Sequence, residues 1–409
     1  MCFHILVVIA SVGLLETGSS GNEYDFFDRQ VVDYQSRPSV VDPNATHPRS
    51  LSVSGFTHYT VNGFPGTRNF HVYIPPSVVN QQQTMSGIVL FFHGLGQTVQ
   101  QLCGKPSETF FELTFNAEEN ANNAGFVAVC LEGLGGSQRG WNNEVCCGKH
   151  GGADDVGFTR AVLTNLKESI LPGAGLQYPE KQAGRANVFA FGFSTGGLFS
   201  YRLACELSDE IFGIAVVGAT FDWAFGGNGV MNWAKNCKST IGATSGGSPV
   251  PVWSGIGTKD ALTTEEYAQS KWREYSETIL DCPQGGGTSG VEVASSVTCY
   301  EYESCSGSSL AKPSKWCLYD GMRHKVLPMK TSYGYESTAK AWEFLSSLAT
   351  NTETRSSSTM MGDSVTTQIQ GQGATTTTNV LLRVDSSMAK PGPLVGMSLT
   401  MLFFWKLFA

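Results

Sequence analysis

The chain has 409 residues, 41% of them apolar, and a formal net charge of −8 at neutral pH. That length suits one large α/β domain with appendages, and an acidic balance with no basic cluster excludes the cationic face that nucleic-acid binding requires. No cofactor or metal is expected, since the cysteines show no repeated C-x-x-C with histidine spacing.

In chain order, residues 1–20 place an apolar run from Ile5 to Leu15 before small residues, the layout of a secretory signal peptide. Residues 21–55 lack periodicity and read as a leader that carries a glycosylation acceptor at Asn44. The folded domain is expected over 56–349. "NFHVYIPPS" alternates Phe70, Val72 and Ile74 in a half-buried strand that Pro75 and Pro76 end. "GIVLFFHG" and "FVAVCL" are continuous apolar runs, as strands of a parallel sheet covered on both faces must be. "DDVGFTRAVLTNLKESI" offers Asp154 and Asp155 as N-cap acceptors before apolar residues at helical spacing. The strand "NVFAF", a helix to about Leu207, the strands "IFGIAVV" and "PVPVWSGIG", a helix from Thr263 and a last helix over 331–348 follow. Strand and helix alternate throughout, which implies a mostly parallel sheet with helices on both faces.

Past Asn351 the composition turns to Ser and Thr with few large apolar residues, so 350–393 reads as a stalk that cannot bury a core. The apolar tail 394–409 contains Lys406 and falls short of the ~20 residues a spanning helix needs. With Ser386, Ser387 and a polar spacer before it, the tail resembles a GPI-attachment signal; a tail anchor and a plain soluble end stay open. Membrane attachment, if present, would run through this tail. Of eleven cysteines, ten remain once Cys2 leaves with the signal, an even number suited to disulfides in an oxidising compartment. Adjacent Cys146 and Cys147 are expected to bridge to different partners, because a ring between neighbours strains disulfide geometry.

Residues 191–197 read "FGFSTGG". A G-x-S-x-G match is weak in a chain with 47 glycines, but here a buried strand precedes it and a helix follows, the setting of a nucleophile elbow. Ser194 would then sit on a strained turn at a helix N-terminus, where backbone N–H groups favour a developing oxyanion. A serine hydroxyl needs a general base. In the Ser, Asp or Glu, His order of such hydrolases, only one of the seven histidines follows Ser194, and it is His324. The acid is less constrained. Asp260, at the carboxyl end of the "PVPVWSGIG" strand, is preferred over Asp222 and over Asp320, which is too near His324 in sequence. The oxyanion donors expected are the backbone N–H groups of Thr195, after the nucleophile, and Leu95, in the "HGLGQT" loop. His93 in that loop reads as structural.

In this order, "HGLGQT" at 93–98, "WN" at 141–142, "CCG" at 146–148, "DDVGF" at 154–158, "GFSTGG" with "YRLACELSD" at 192–209, "GTKD" at 257–260 and His324 resemble the polyhydroxybutyrate depolymerase and feruloyl esterase family of α/β-hydrolases. The resemblance spans roughly residues 65 to 346. It implies an α/β-hydrolase fold, a secreted serine esterase acting on polymer esters, the triad Ser194, Asp260 and His324, and a substrate cleft bordered near Trp141 and Asn142; a disulfide-tied structural loop is the equal alternative for that segment. Thr195 stands where many relatives carry Asn, which only the backbone role tolerates, and the surroundings of His324 depart from the family's glycine-rich, tryptophan-containing pattern. Two other readings stay open: a serine peptidase on the same fold, and an inactive hydrolase fold used for adhesion.

Overall fold

The computed structural model describes residues 53–348, except 54, 65–66, 106–114, 136–137, 145–151, 180, 183–184, 223–230, 288–289, 295, 309, 311–312, 326–337 and 339. Contacts divide the chain into Met1–Met360 and Met361–Ala409, and every described residue belongs to the first unit. The expected signal peptide, Asn44, stalk and apolar tail lie outside the described residues, as do Cys2, Cys146 and Cys147.

One sheet of ten strands organises the domain. In chain order the strands are β1 (Thr57–Val61), β2 (Arg68–Tyr73), β3 (Gly87–Phe92), β4 (Phe126–Leu131), β5 (Val188–Phe193), β6 (Gly213–Val217), β7 (Val252–Gly257), β8 (Val291–Ala294), β9 (Val297–Tyr302) and β10 (Ser314–Tyr319). Across the sheet they run β1-β2-β4-β3-β5-β6-β7-β10-β9-β8. The six strands from β4 to β10 are parallel, and β1, β2, β8 and β9 pair antiparallel at the two edges. The mostly parallel sheet expected from the alternating pattern is present, and antiparallel strands extend it at both edges. "VTCYEY" and "SKWCLY" mix buried and half-exposed residues, as strands towards the end of a sheet with one wetter face do.

Every residue of β3, β4, β5, β6 and β7 is buried, because helices cover both faces of the central strands. Two apolar clusters fill these layers. The first joins Leu90, Val129, Val162, Leu198 and Trp272; the second joins Phe91, Phe126, Phe189, Trp253 and Leu345. Helices among the described residues include α1 (Val99–Cys103), α2 (Ala117–Ala124), α3 (Asp155–Asn165), α4 (Thr195–Glu206), α5 (Asn232–Ala243), α6 (Glu265–Thr278) and α7, over 340–348. Asp154 caps α3 by accepting the Gly157 N–H at 2.7 Å, and Thr264 caps α6 by accepting that of Tyr267. With the nucleophile turn after β5 and the site at the carboxyl ends of the strands, this is the α/β-hydrolase fold.

Among the described residues four disulfides join Cys103 to Cys130, Cys205 to Cys237, Cys282 to Cys305 and Cys299 to Cys317. Each closes a loop of 18 to 32 residues, worth about 3 kcal/mol apiece on the chain-entropy account. Cys205 ties α4 to α5, and Cys299 faces Cys317 across the β9–β10 ladder. Among the described residues no helix is long and apolar enough to cross a membrane.

Candidate active site

The chain between β5 and α4 turns at Ser194 with φ 53° and ψ −119°. A side chain at positive φ is strained and persists only where its surroundings hold it. Here the Ser194 N–H donates to the Val217 carbonyl at 2.9 Å and the Ser194 carbonyl accepts from Leu198 at 3.0 Å. The flanking glycines explain the tightness. A Cβ on Gly192 would lie 2.2 Å from the Gly196 carbonyl oxygen, and one on Gly196 would lie 2.1 Å from that of Phe92. Any side chain there would push α4 away from β3 and β5.

His324 reaches over this turn from the loop after β10. Its Nε2 lies 3.0 Å from Ser194 Oγ, and its Nδ1 lies 2.8 Å from Asp260 Oδ2. The ring rests on Phe193, with centroids 5.1 Å apart. Beneath it Gly218 has φ 60°, and a Cβ there would come within 3.2 Å of the imidazole Cε1. The Asp260 carboxylate is 1% exposed, and its second oxygen accepts the Leu262 N–H at 2.9 Å. A carboxylate that bonds Nδ1–H leaves Nε2 unprotonated and facing the hydroxyl, the arrangement a general base requires.

The loops carrying Asp260 and His324 are joined before they reach the site. Lys259 donates its N–H to the Met322 carbonyl at 2.9 Å, and Thr258 donates its own to that of Tyr319 at 3.0 Å. Thr258 Oγ1 accepts the Gly321 N–H at 2.8 Å and donates to Asp320 Oδ1 at 3.1 Å. Asp320 thus holds the loop and leaves the imidazole to Asp260. Asp222 is also committed elsewhere: it pairs with Lys271 Nζ at 3.2 Å and accepts the Met231 N–H at 2.7 Å.

In the loop after β3 three backbone donors around Leu95 are committed. Gly94 N–H bonds Gln97 Oε1 at 2.7 Å, Gly96 N–H bonds the Arg139 carbonyl at 2.7 Å, and Gln97 N–H bonds the Gly94 carbonyl at 3.2 Å. The N–H of Leu95 meets no acceptor among the described residues. Thr195, first in α4, carries an N–H with no intrahelical acceptor. His93 is fully buried. The Gly133 N–H donates to its Nε2 at 3.0 Å, so the proton sits on Nδ1, which donates to the Gly94 carbonyl at 2.8 Å. Burial lowers its pKa to about 4, and the ring stays neutral as a strut of the loop.

Trp141 and Asn142, candidates for the cleft border or for a structural loop, are held by several groups. Trp141 is 1% exposed. Its indole stacks on Phe199 at 5.2 Å, meets Phe92 edge-on at 5.1 Å and donates Nε1–H to the His93 carbonyl at 2.8 Å. Asn142 donates its N–H to Asp155 Oδ2 at 2.7 Å and its side-chain amide to the Ala153 carbonyl at 2.8 Å. Asp155 in turn pairs with Arg68 at 2.6 Å, both side chains being 1% exposed. These groups brace the site from beneath and leave no surface of Trp141 for a ligand. The neighbour Asn143, which the sequence reading passed over, donates Nδ2–H to the Thr195 carbonyl at 2.9 Å.

Among the described residues no cluster of His, Cys, Asp and Glu has the grouping of a metal site. No protein-family model matches the chain, and no curated protein matches it. Among solved structures it is similar to an acetyl xylan esterase from Aspergillus awamori, at 14% identity and TM-score 0.45, over 71% of this chain and 99% of that one. It is similar also to a feruloyl esterase module from Clostridium thermocellum, at 13% identity and TM-score 0.43, over 72% and 88%. An S-formylglutathione hydrolase from Agrobacterium tumefaciens aligns at 12% identity and TM-score 0.39, over 74% and 96%.

Proposed function

We propose that the protein is a secreted serine carboxylic-ester hydrolase that works through an acyl-enzyme. The observation that carries this reading is the continuous relay from Ser194 Oγ to His324 Nε2 at 3.0 Å and from His324 Nδ1 to Asp260 Oδ2 at 2.8 Å. Ser194 Oγ bonds to the ester carbonyl carbon while its proton passes to His324 Nε2. The carbonyl oxygen, now anionic, takes hydrogen bonds from the N–H groups of Leu95 and Thr195. On collapse the C–O bond to the alcohol breaks and His324 returns the proton to the leaving oxygen. Water then repeats the sequence on the acyl-enzyme, giving its proton to His324 and releasing the acid and Ser194. Asp260 keeps the imidazole in the required tautomer and stabilises its cation without taking the proton.

The motifs shared with the polyhydroxybutyrate depolymerase and feruloyl esterase family favour esters of polymers: feruloyl or acetyl groups on polysaccharide, or a polyhydroxyalkanoate. Leu95 and Leu262, 46% and 42% exposed, stand beside the oxyanion loop and the triad acid, and exposed leucines there favour a substrate with an apolar part. The four disulfides among the described residues fit an oxidising compartment, in keeping with a signal peptide over 1–20 and with display on a stalk over 350–393. An adhesion protein on this fold has no use for the complete relay, and a peptidase reading has no feature of its own to favour it. Hydrolysis of methyl ferulate is to be compared with that of a soluble 3-hydroxybutyrate oligomer, with Ser194→Ala as control. Turnover of either that disappears in the variant is the expected result; equal rates in both proteins would remove the mechanism.

A further inference from the structure

Each oxyanion donor is a backbone N–H, and the two belong to segments about a hundred residues apart in sequence, at Leu95 and Thr195. A third segment touches both. The Arg139 carbonyl accepts the Gly96 N–H at 2.7 Å, Trp141 Nε1–H bonds the His93 carbonyl at 2.8 Å, and Asn143 Nδ2–H bonds the Thr195 carbonyl at 2.9 Å. The segment is itself clamped from outside, since Asn142 N–H bonds Asp155 and its carbonyl accepts from Arg202 Nη1 at 2.6 Å.

We propose that Asn143 is a positioning residue that sets the distance between the two halves of the oxyanion hole. The inference rests on the ester-hydrolase reading above and adds to it a residue that never touches substrate. Asn143 is fully buried, and its Oδ1 has no hydrogen-bond partner among the described residues. A buried acceptor left unpaired costs stability, so an apolar side chain of the same size suits this position better if folding alone is at stake. The Thr195 carbonyl does not depend on Asn143 either, because in α4 it already faces the N–H of Phe199. What the amide adds is registry. It ties the first turn of α4, which carries the Thr195 N–H, to the same short segment that holds the loop of Leu95. Local conflicts of this kind, a polar group kept where packing prefers an apolar one, concentrate at functional sites. The amide orientation is fixed by chemistry, since only the NH₂ end can face a carbonyl.

The test uses the full chain with Asn143→Leu, p-nitrophenyl acetate as substrate and a phenylboronic acid as a mimic of the tetrahedral anion. With a donor misplaced rather than deleted, kcat is expected to fall about tenfold or more, short of the full loss of a donor. KM should stay within about twofold, and the boronate inhibition constant should rise by the same factor as kcat falls, because both read the oxyanion geometry. The melting temperature should hold or rise. A purely structural role predicts the opposite pattern, a lower melting temperature with parental kcat and boronate affinity in the folded fraction, and that result overturns the proposal. If Asn143→Leu does not fold, Trp141→Phe removes the other tie of the segment while keeping a ring against Phe199, with the same proportional loss expected and parental values again overturning it. Ser194→Ala is measured alongside. Parental hydrolysis by that variant would remove the nucleophile itself, whereas an inactive Ser194→Ala beside a fully active Asn143→Leu removes only the brace.

Discussion

Two histidines stand at the same edge of the sheet, one directly after β3 and one in the loop after β10, and they do opposite work. His93 has both ring nitrogens committed to backbone groups, is fully buried, and has its pKa lowered to about 4. His324 has one nitrogen committed to Asp260 and the other aimed at a hydroxyl. The same side chain is a strut where both nitrogens are satisfied by the fold and, on the function proposed above, a base where one is left to face Ser194. Burial and partner count decide the role, and residue type alone does not.

That contrast can be broken in several ways. Replacing His324 by Ala should lower kcat about 10⁴-fold or more, as loss of a triad member does, with little change in melting temperature. His93→Leu should act mainly on stability, costing about 1–3 kcal/mol because the Gly133 N–H is left unpaired, with a far smaller loss of kcat through the loop it holds, and activity assays beside chemical denaturation separate the two. The aspartates extend the comparison. Asp260→Asn should reduce kcat about 10³–10⁴-fold by favouring the wrong tautomer, while Asp222→Asn, which weakens the pair with Lys271, should leave kcat near parental and appear only in stability.

Acid sharpens the comparison through stability. The folded state holds His93 below its ordinary pKa, so between about 6.5 and about 4 the unfolded chain binds the extra proton and stability falls as pH falls. The loss should begin near the unfolded value, level off below the folded one, and amount to about 3 kcal/mol. Glu132, whose pKa is also lowered, with burial opposing and His71 and Asn69 favouring its charged form, adds a loss in the same direction at lower pH. Denaturation midpoints at pH 7.5 and 4.5 read the slope, and His93→Asn should flatten it. The smallest effect is expected at Leu95. Leu95→Ala keeps the backbone donor, so kcat should change little, and KM for an ester with an apolar group should rise by the equivalent of about 1 kcal/mol or less.

The parts of the site written in local sequence are those that meet in space with little adjustment. "NVFAF" followed by "GFSTGG" encodes a strand, a turn and a helix within twenty residues, and chain order leaves His324 as the sole histidine after it. Asp260 follows from its place at the end of β7. The brace was not legible, because its bonds join residues 43 to 52 positions apart through backbone carbonyls that no side-chain pattern marks. Trp141 stands as a cleft candidate through the family resemblance alone, and a shared motif says nothing about which way its ring points. The antiparallel edge from β8 to β9 was missed because the alternation in "VTCYEY" is short and follows a glycine-rich stretch. Cysteine pairing is set by tertiary approach, as Cys299 and Cys317 meeting across two strands illustrate.

The most direct measurement is the covalent reaction of the purified full chain with a fluorophosphonate, with the modified residue located by peptide mass spectrometry. The account predicts a single adduct on the peptide containing Ser194, formed quickly in the parent, very slowly in His324→Ala and not at all in Ser194→Ala. Modification of another serine, or labelling that persists unchanged when His324 is replaced, would contradict it.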